Sequence, residues 1–401
     1  MAASGSAPRL LIVGAPISIH VVRNLEAIAG LGWDLHLFPS AHVPVNPELR
    51  GVTVHVDPAA VAEYGLPNES VTVEPLGPSG TGGPLMAPER AVELARLIRR
   101  LEPDLLHTME TQAAGYAALD AARIVGRRFP PWIAGIFGND LYYYSRIGRH
   151  RARLRAVMGA ADYLIADSHR DLALARRYGF RGRALPVMVT GGGFDADQIH
   201  RLRAPGSPSG RRAIAARLQA FWAYRPRVVL EALDRVRGAL EGYELQAYFL
   251  SPELRPTVEE LCGRSGMTLR VISEMSAYAP HAEILAMHGR SRVSLGASVS
   301  DGTALATIEA AVMGSLPVHS FQSSVGEWLR PGRQALLFDG EDPGALATAL
   351  ERALTDDELV DGAAAESRRL AFELDSRRER RRMADVYERV LADQARRCAT
   401  A

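Results

Sequence analysis

The stretch Ser298–Thr303 and the helix predicted after it combine residue types that suit a polyol ligand carrying phosphate. Residues 292–296 predict a short strand, the Ser-Val-Ser-Asp-Gly-Thr run predicts a loop, and residues 304–313 predict a helix that is apolar on nearly all sides. Glu309 is the one ionisable residue of this helix, and burying an unpaired carboxylate costs several kcal/mol. Glu309 therefore either bonds to a distant group or accepts hydroxyls from a ligand. Gly302 lets a ligand approach the backbone, and the free amides at the helix start suit an anion.

The composition narrows the class of protein. A length of 401 residues predicts two or three domains at about 100–200 residues each. With 47% hydrophobic and 23% charged residues, the chain has the composition of a soluble globular protein. Its net charge of +1 gives no reason to expect a nucleic-acid partner. Every basic residue is Arg, which indicates a bacterial source and means that a phosphate-binding cation must be Arg here.

The positions of the cysteines and the lengths of the apolar runs exclude further classes of protein. Cys262 and Cys398 lie far apart, so we expect neither a disulfide framework nor a metal cluster. The polar start predicts no signal peptide, and no apolar run is long enough for a transmembrane helix. The sequence thus predicts a cytoplasmic enzyme.

The chain opens with the pattern of a parallel α/β sheet. Residues 9–13 predict a buried strand that ends at Gly14-Ala15-Pro16, and a helix and a second strand over 33–38 follow. The Gly-Ala-Pro turn is not the GxGxxG fingerprint of dinucleotide-binding proteins. A later strand over 131–136 is followed by Gly138-Asn139-Asp140, at the sheet edge where open α/β sheets place ligands. A plain polar turn is the alternative.

A Pro-, Gly- and Ser-rich segment marks the predicted domain boundary. We predict an N-terminal domain over 1–202, a linker over 203–211 and a C-terminal domain over 212–375 with its own strand–helix series. A predicted basic helix begins near Arg146 and carries Arg149, Arg151, Arg153 and Arg155. These arginines predict either a solvated face or a contact with lipid headgroups or an anionic acceptor.

Two doubly wound domains with Asp301, seven residues and then Glu309 resemble the GT-B architecture and the GT4-type (group 1) retaining glycosyltransferases. The stretches Ser18-Ile19-His20, Gly138-Asn139-Asp140, 160–168 and Gly192-Gly-Phe-Asp195 resemble further parts of the family pattern in matching order. Two departures stand out. Arg217, with Arg225 or Arg227 as the neighbouring candidates, stands for the basic residues that hold the donor diphosphate, and Phe137 stands where many relatives have His.

The resemblance implies a fold and a reaction. The fold would be GT-B, with two Rossmann-like domains facing a cleft and the final helix over 376–401 crossing back to the N-terminal domain. The reaction would move a sugar from a nucleoside-diphosphate sugar, such as a UDP- or GDP-sugar, to an acceptor hydroxyl with retention of configuration. It would need no cofactor and no metal. The acceptor would be a small molecule, a saccharide or a lipid-linked species, with peripheral contact at the inner membrane face through the basic helix.

The resemblance also implies roles for individual residues. The catalytic set would be Asp301, which orients the donor sugar, Arg217 at the diphosphate, and Asp140 and His20 on the acceptor side. Glu309 would accept ribose hydroxyls. The remaining donor-binding residues would be Ser300, Gly302, Thr303, Ala304, Arg225, Gly14 and Ala15, and the remaining acceptor-side residues Gly138 and Asn139.

Two alternatives remain at the level of sequence. The blurred arginine pattern and Phe137 are compatible with a degenerate GT-B subunit that binds a nucleotide sugar or a partner without turnover. Another GT-B enzyme, such as a nucleotide-sugar epimerase, would need additional acid/base residues that the sequence does not reveal. A phosphorylase would need a lysine for pyridoxal phosphate, and the chain has no lysine.

Overall fold

The computed structural model describes residues 7–56, 71–75, 88–189, 192–275 and 279–400. The chain divides into two compact units, the first formed by 1–193 with 376–401 and the second by 194–375. Each unit is built around one parallel sheet. Parallel strands need crossover connections, and helices supply them in both units.

The first unit has a sheet in the order β4-β3-β2-β1-β5-β6-β7-β8. Its strands are β1 Arg9–Gly14, β2 Asp34–Pro39, β3 Val52–Val56, β4 Val71–Pro75, β5 Leu105–Met109, β6 Trp132–Ile136, β7 Tyr163–Ala166 and β8 Arg183–Ala184. Its helices are α1 Ile19–Ile28, α2 Pro88–Leu101, α3 Tyr116–Val125, α4 Gly138–Tyr142, α5 Gly148–Ala160 and α6 His169–Arg177.

Strand β1 shows why this sheet is covered on both faces. Leu11 and Val13 point into a core formed with α2, α3, α5 and α6, whereas Leu10 and Ile12 point into a second core on the opposite face. All four side chains are fully buried. Because both faces of the strand are buried, its sequence is a continuous apolar run.

The final helix, α14 Ser376–Thr400, belongs to the first unit and packs on α1. Tyr387 anchors it: its ring is fully buried, and its hydroxyl lies 2.6 Å from Asn24 Oδ1 and 2.6 Å from His107 Nδ1. The predicted return of the C-terminal helix to the N-terminal domain is therefore confirmed.

The second unit has a sheet in the order β11-β10-β9-β12-β13-β14. Its strands are β9 Ala213–Arg217, β10 Glu244–Tyr248, β11 Thr268–Val271, β12 Val293–Gly296, β13 Leu316–Ser320 and β14 Leu336–Phe338. Its helices are α7 Ala196–Leu202, α8 Pro226–Arg235, α9 Arg255–Ser265, α10 His281–Arg290, α11 Leu305–Val312, α12 Pro343–Thr355 and α13 Asp357–Glu373. The strand order reverses between β9 and β12, and ligands of open α/β sheets bind at such switch points. The prediction of two doubly wound Rossmann-like domains is confirmed.

The structure differs from the sequence-based boundaries in several places. The segment 203–211 lies inside the second unit, because Arg203 donates to the carbonyl of Val312 and the Ala204 amide donates to Gly289. Its linker-like composition reflects turns rather than a free connection. Strand β4 and helix α13 were not predicted, and the basic helix spans 148–160 after a short 3-10 turn at 144–146.

Candidate functional site

The predicted donor site lies at the carboxyl edge of the second sheet. Arg217 ends β9, and the loop carrying Asp301 follows β12, the neighbouring strand. The loop after β9 runs beside the loop after β12, since the Arg225 amide donates to Ala297 and the Val299 amide donates to Ala223. These bonds bring Arg217 and Asp301, which are distant in sequence, to one switch point.

The guanidinium of Arg217 is fixed by three neighbours. It lies 3.8 Å from the ring centroid of Tyr224 and 5.2 Å from that of Phe249. Its Nε and Nη2 atoms both donate to Gln219 Oε1, at 3.2 Å and 2.8 Å. One edge of the guanidinium fork is therefore held by a neutral amide oxygen, while the ring faces hold its plane.

Two other predicted residues contribute to the electrostatic surroundings of Arg217. Burial alone would lower the pKa of Arg217, but that pKa is raised because four nearby groups favour the charged form, namely Tyr224, Tyr248, Asp301 and Glu309. Asp301 and Glu309 thus act on the same guanidinium. The structure brings Arg217, Asp301 and Glu309 together as the sequence predicted.

Glu309 has a protein partner that the sequence did not reveal. Its carboxylate is almost fully buried, and its Oε1 accepts a hydrogen bond of 2.7 Å from Nε2 of His281, the first residue of α10. The imidazole is 29% exposed and the carboxylate 5%. Of the two explanations for this buried carboxylate, a distant side chain is therefore present in the structure, and the ribose contact stays a prediction.

Hydrogen bonds hold the loop before α11 in place. Asp301 Oδ1 accepts from the Gly302 amide at 2.9 Å, and the Gly302 carbonyl accepts from the Ser324 amide at 2.8 Å. Ser300 is fully buried, and its hydroxyl has no partner among the described residues. Thr303 is buried as well.

Ala304 does not start the helix as predicted. Its backbone lies in the left-handed region, at φ 48° and ψ 63°, so α11 begins at Leu305. A non-glycine residue in this region costs about 1–2 kcal/mol. Such strain is stored most often at functional sites.

Arg225 does not point its donors freely toward a diphosphate. Its Nη1 donates to the carbonyls of Trp222 and Tyr224, and its Nε lies 3.5 Å from Glu341. The residue also serves as the N-terminal cap position of α8. Its predicted donor-binding role stays a prediction that these contacts do not favour.

In the first unit, Gly14 is the last residue of β1 and Ala15 follows it. A Cβ at Gly14 would lie 2.9 Å from Val21 Cγ2, so glycine is needed there for close packing. The Ala15 carbonyl accepts from the Ser18 amide, which closes the turn before α1. A role of these two residues in donor binding stays a prediction.

His20 and Phe137 lie together on the acceptor side that the sequence predicted. Their rings stack with centroids 5.2 Å apart and an interplanar angle of 29°. Phe137, which departs from the family pattern, therefore forms an aromatic platform for His20.

The Gly138-Asn139-Asp140 triplet is the first turn of the short helix α4 rather than an open loop. Asp140 Oδ2 accepts from the amides of Phe137 and Thr111 and from the Thr111 hydroxyl. Burial chiefly raises the pKa of Asp140 well above its usual range, and Glu110 adds to the rise. These contacts favour a role in holding two loops together, and the catalytic assignment of Asp140 stays a prediction. The amide oxygen of Asn139 is buried without a partner among the described residues.

Glu110 was missed by the sequence analysis. It follows β5 with φ 105° and ψ 156°, a conformation that belongs almost entirely to glycine. Its carboxylate accepts from the Ser40 hydroxyl at 2.8 Å, and burial raises its pKa. An acidic residue directly after a strand's carboxyl end was the available signal.

Within the described ranges, no group of three or more His, Cys, Asp or Glu side chains is placed to hold a metal ion. None of the helices in the part of the chain that the structure describes is long and apolar enough to span a bilayer.

Comparison with known families now adds to this geometry. Residues 17–198 match the model described as Glycosyltransferase Family 4. This segment, somewhat less than half of the chain, is similar to glycosyltransferase family 4. No curated protein matches the chain by sequence.

Solved structures match over nearly the whole length of the chain. Sucrose-phosphate synthase from Thermosynechococcus elongatus aligns with a TM-score of 0.68 and 16% identity over 96% of this chain and 100% of that chain. A glycosyltransferase from Rickettsia africae aligns with a TM-score of 0.65 and 14% identity over 97% and 99%. Anabaena HepE, solved in complex with UDP and glucose, aligns with a TM-score of 0.63 and 14% identity over 95% and 99%.

At these identities the likeness shows the fold, which is GT-B. Together with the family match over 17–198, it confirms the resemblance noted in the sequence and supports a glycosyltransferase. The individual site residues remain predictions.

Proposed function

We propose that the chain transfers a sugar from a nucleoside-diphosphate sugar to an acceptor hydroxyl, with retention of configuration and without a metal. The observation that supports this most is the convergence of Arg217, Asp301 and Glu309 at the switch point of the second sheet. A cation and two carboxylates in one partly enclosed site match the needs of a diphosphate joined to two polyols, the ribose and the transferred sugar.

Each group has a role in this proposal. Glu309 accepts ribose hydroxyls, which a carboxylate already bonded to His281 can still do because its two oxygens offer about four lone-pair sites. Asp301 orients hydroxyls of the transferred sugar. Arg217 and the amides near Gly302 and Thr303 stabilise the negative charge that develops on the leaving diphosphate.

The reaction breaks the bond between the anomeric carbon and the β-phosphate oxygen. The acceptor oxygen forms its bond to the same carbon on the same face, and the acceptor proton passes to an oxygen of the leaving diphosphate. The products are the glycosylated acceptor and the nucleoside diphosphate. Because Arg217 and backbone amides supply the positive charge, the step needs no metal in this proposal.

We place the acceptor on the first unit, at the carboxyl edge of its sheet. His20, which stacks on Phe137, is the group that we expect to contact it. Asp140 contributes through the loop that it holds.

The test is a panel of nucleotide sugars, beginning with UDP-glucose, because a structural neighbour was solved with that molecule. Donor binding and turnover are measured for the wild type, Glu309→Ala and Arg217→Ala, with Glu351→Ala on the exposed face of α12 as the control. We expect the first two variants to weaken donor binding or turnover at least tenfold and the control to match the wild type. Product anomeric configuration by NMR tests retention, and activity in excess chelator tests metal independence.

The outcomes separate the alternatives. Binding without turnover, across acceptors of several classes, would favour the degenerate subunit. Interconversion of two free nucleotide sugars would favour an epimerase. If no nucleotide sugar binds, or if Glu309→Ala binds donor as tightly as the wild type, the proposed donor site is wrong.

We also propose that the first unit contacts anionic lipid headgroups. This unit carries 28 Arg against 21 Asp and Glu, for a net charge of +7, whereas the second carries 19 against 25, for a net charge of −6. Helices α3, α5 and α6 cover one face of the first sheet, since all three pack into the same core. That face exposes several arginines but no carboxylate between 121 and 189; the exposed residues include Arg127, Arg128, Arg149, Arg151, Arg155, Arg176 and Arg177.

Vesicle sedimentation tests this contact. Each arginine near an anionic bilayer contributes about 1 kcal/mol, so replacing Arg149, Arg151 and Arg155 by Gln should lower partitioning onto phosphatidylglycerol vesicles about 100-fold. The control replaces three exposed arginines of the second unit, Arg235, Arg237 and Arg352. Equal binding to neutral phosphatidylcholine vesicles, or equal loss in both triple variants, would refute the contact.

A further inference from the structure

Glu309 has a short polar contact with a residue outside the family motif. His281 Nε2 and Glu309 Oε1 lie 2.7 Å apart, on two helices that pack against each other. An ionised carboxylate cannot donate, so the imidazole N–H is the donor. A bond to a charged, buried acceptor is among the stronger protein hydrogen bonds.

The position of His281 allows it to direct the carboxylate. It is the first residue of α10, and Glu309 lies one turn into α11. Glu309 has three rotatable side-chain bonds, and a bond to one oxygen restricts them to the rotamers that keep this oxygen beside α10. The second oxygen then has a defined direction as well.

Arg217 and Tyr248 also act on Glu309 electrostatically. His288 lies two turns along α10, and burial chiefly lowers its pKa to about 4, so that ring is neutral and bonds to Ser294 instead. His281 is thus a directional partner of Glu309, through a hydrogen bond of 2.7 Å.

We propose that His281 is a positioning residue of the donor site, which sets nucleotide affinity by holding the Glu309 carboxylate toward the ribose. This inference rests on the proposed role of Glu309. It adds a residue 28 positions upstream of Glu309 to the donor machinery, although His281 itself need not touch the donor.

A plainer explanation is that His281 only compensates the burial of a carboxylate. Both explanations predict that removing the imidazole lowers stability, because a buried charge loses its bond. They differ in donor affinity. A purely structural partner leaves the dissociation constant of correctly folded protein unchanged, whereas a positioning partner raises it.

The experiment measures UDP binding by calorimetry and thermal unfolding for the wild type, His281→Ala and His281→Gln. We expect His281→Ala to raise the UDP dissociation constant about tenfold, since a hydrogen bond to a charged group contributes at least that much. Gln offers an amide N–H at similar reach, so His281→Gln should recover most of the affinity. With an active donor, KM should rise while kcat at saturating donor stays the same, because the contact is made equally in the ground and transition states.

Two controls make the result decisive. His200→Ala removes an exposed imidazole from the same unit and should leave UDP binding unchanged. Glu309→Gln should weaken UDP binding, and adding His281→Ala to it should cost little more, because the two residues act as one pair.

Three outcomes would overturn the inference. They are an unchanged dissociation constant in folded His281→Ala, equal loss in the Ala and Gln variants, and full additivity with Glu309→Gln. If Glu309→Gln itself binds UDP as the wild type does, the donor-site assignment fails first, and this result is distinguishable from a failure confined to His281. Should His281→Ala not fold, His281→Phe, which keeps a planar ring but has no N–H donor, makes the same comparison alone and combined with Glu309→Gln.

Discussion

Replacing Tyr387 by Phe tests how the final helix is fixed to the first unit. The Tyr387 hydroxyl has one proton, and burial raises its pKa above the usual value, so it stays a donor. It donates to Asn24 Oδ1 at 2.6 Å. The 2.6 Å contact with His107 Nδ1 must then be donated by the imidazole.

The state of His107 agrees with this assignment. Burial lowers the pKa of His107 to about 3, so the ring is neutral and carries a single N–H. With that proton on Nδ1, the bare Nε2 is the nitrogen left without a partner among the described residues. Phe at 387 keeps the ring but leaves Asn24 Oδ1 and the His107 N–H unsatisfied.

The magnitude follows from these two atoms. Each buried polar group without a partner costs about 1–3 kcal/mol, so we expect a loss of about 2–6 kcal/mol in the unfolding free energy of the first unit. For a unit of this size that corresponds to a fall of about 4–24 °C in its melting temperature. The effect should appear in α1 and α14 first, because Asn24 and Tyr387 lie on these helices.

Denaturant unfolding followed by tryptophan fluorescence is a suitable assay, because Trp33 lies 5.9 Å from the Tyr387 ring. Hydrogen exchange of α1 and α14 peptides locates the change. Tyr178→Phe, at a partly exposed ring of the same unit, is the matched control. A loss below about 0.5 kcal/mol, or one equal to the control, would refute the reasoning about unsatisfied groups.

Three further predictions concern single residues. Ala304→Gly removes the strain of a left-handed backbone at φ 48° and should raise the unfolding free energy of the second unit by up to about 1 kcal/mol. A lower melting temperature in calorimetry would contradict this. His55 has its pKa lowered to about 3, chiefly by burial and then by His36 and Arg100, so between pH 6.5 and 3 the unfolded state binds the extra proton and stability falls as pH falls. His55→Gln should therefore reduce the stability lost between pH 7 and pH 5 by up to about 2 kcal/mol, and an unchanged pH slope in denaturant titrations would argue against it. Gln219→Ala frees the bonded edge of Arg217 and should tighten pyrophosphate binding about threefold by calorimetry; weaker binding would mean that Gln219 orients the arginine instead.

Much of the fold was predictable because it depends on local patterns. Buried parallel strands such as Arg9–Gly14 appear as apolar runs, and the alternation with helices implies a doubly wound sheet. Strand β4 escaped because it is isolated in a Pro- and Gly-rich region. Residues 203–211 look like a linker by composition, but tertiary bonds from Arg203 and Ala204 place them inside the second unit.

The sequence-based prediction of the site rests mainly on residues that are close in sequence, and its roles stay predictions. Asp301, Gly302 and Glu309 occupy one loop and one helix, so their spacing carried the information. His281 contacts Glu309 because two helices pack together, and Gln219 contacts Arg217 because of its side-chain conformation. Neither contact can be predicted from the spacing of residues in one sequence. The left-handed conformation of Ala304 gave no signal either, because alanine usually marks regular helix.

All three charged residues of the predicted donor site have hydrogen-bond partners within the protein. Glu309 is bonded by His281, Arg217 by Gln219, and Asp301 by the amide of Gly302. Burial by itself therefore did not require a ligand at any of these residues. If the three form a donor site, donor binding must exchange protein hydrogen bonds for ligand bonds rather than fill unmet ones. The net affinity then depends on differences between similar bonds, which makes the partners His281 and Gln219 as informative to mutate as the charged residues themselves.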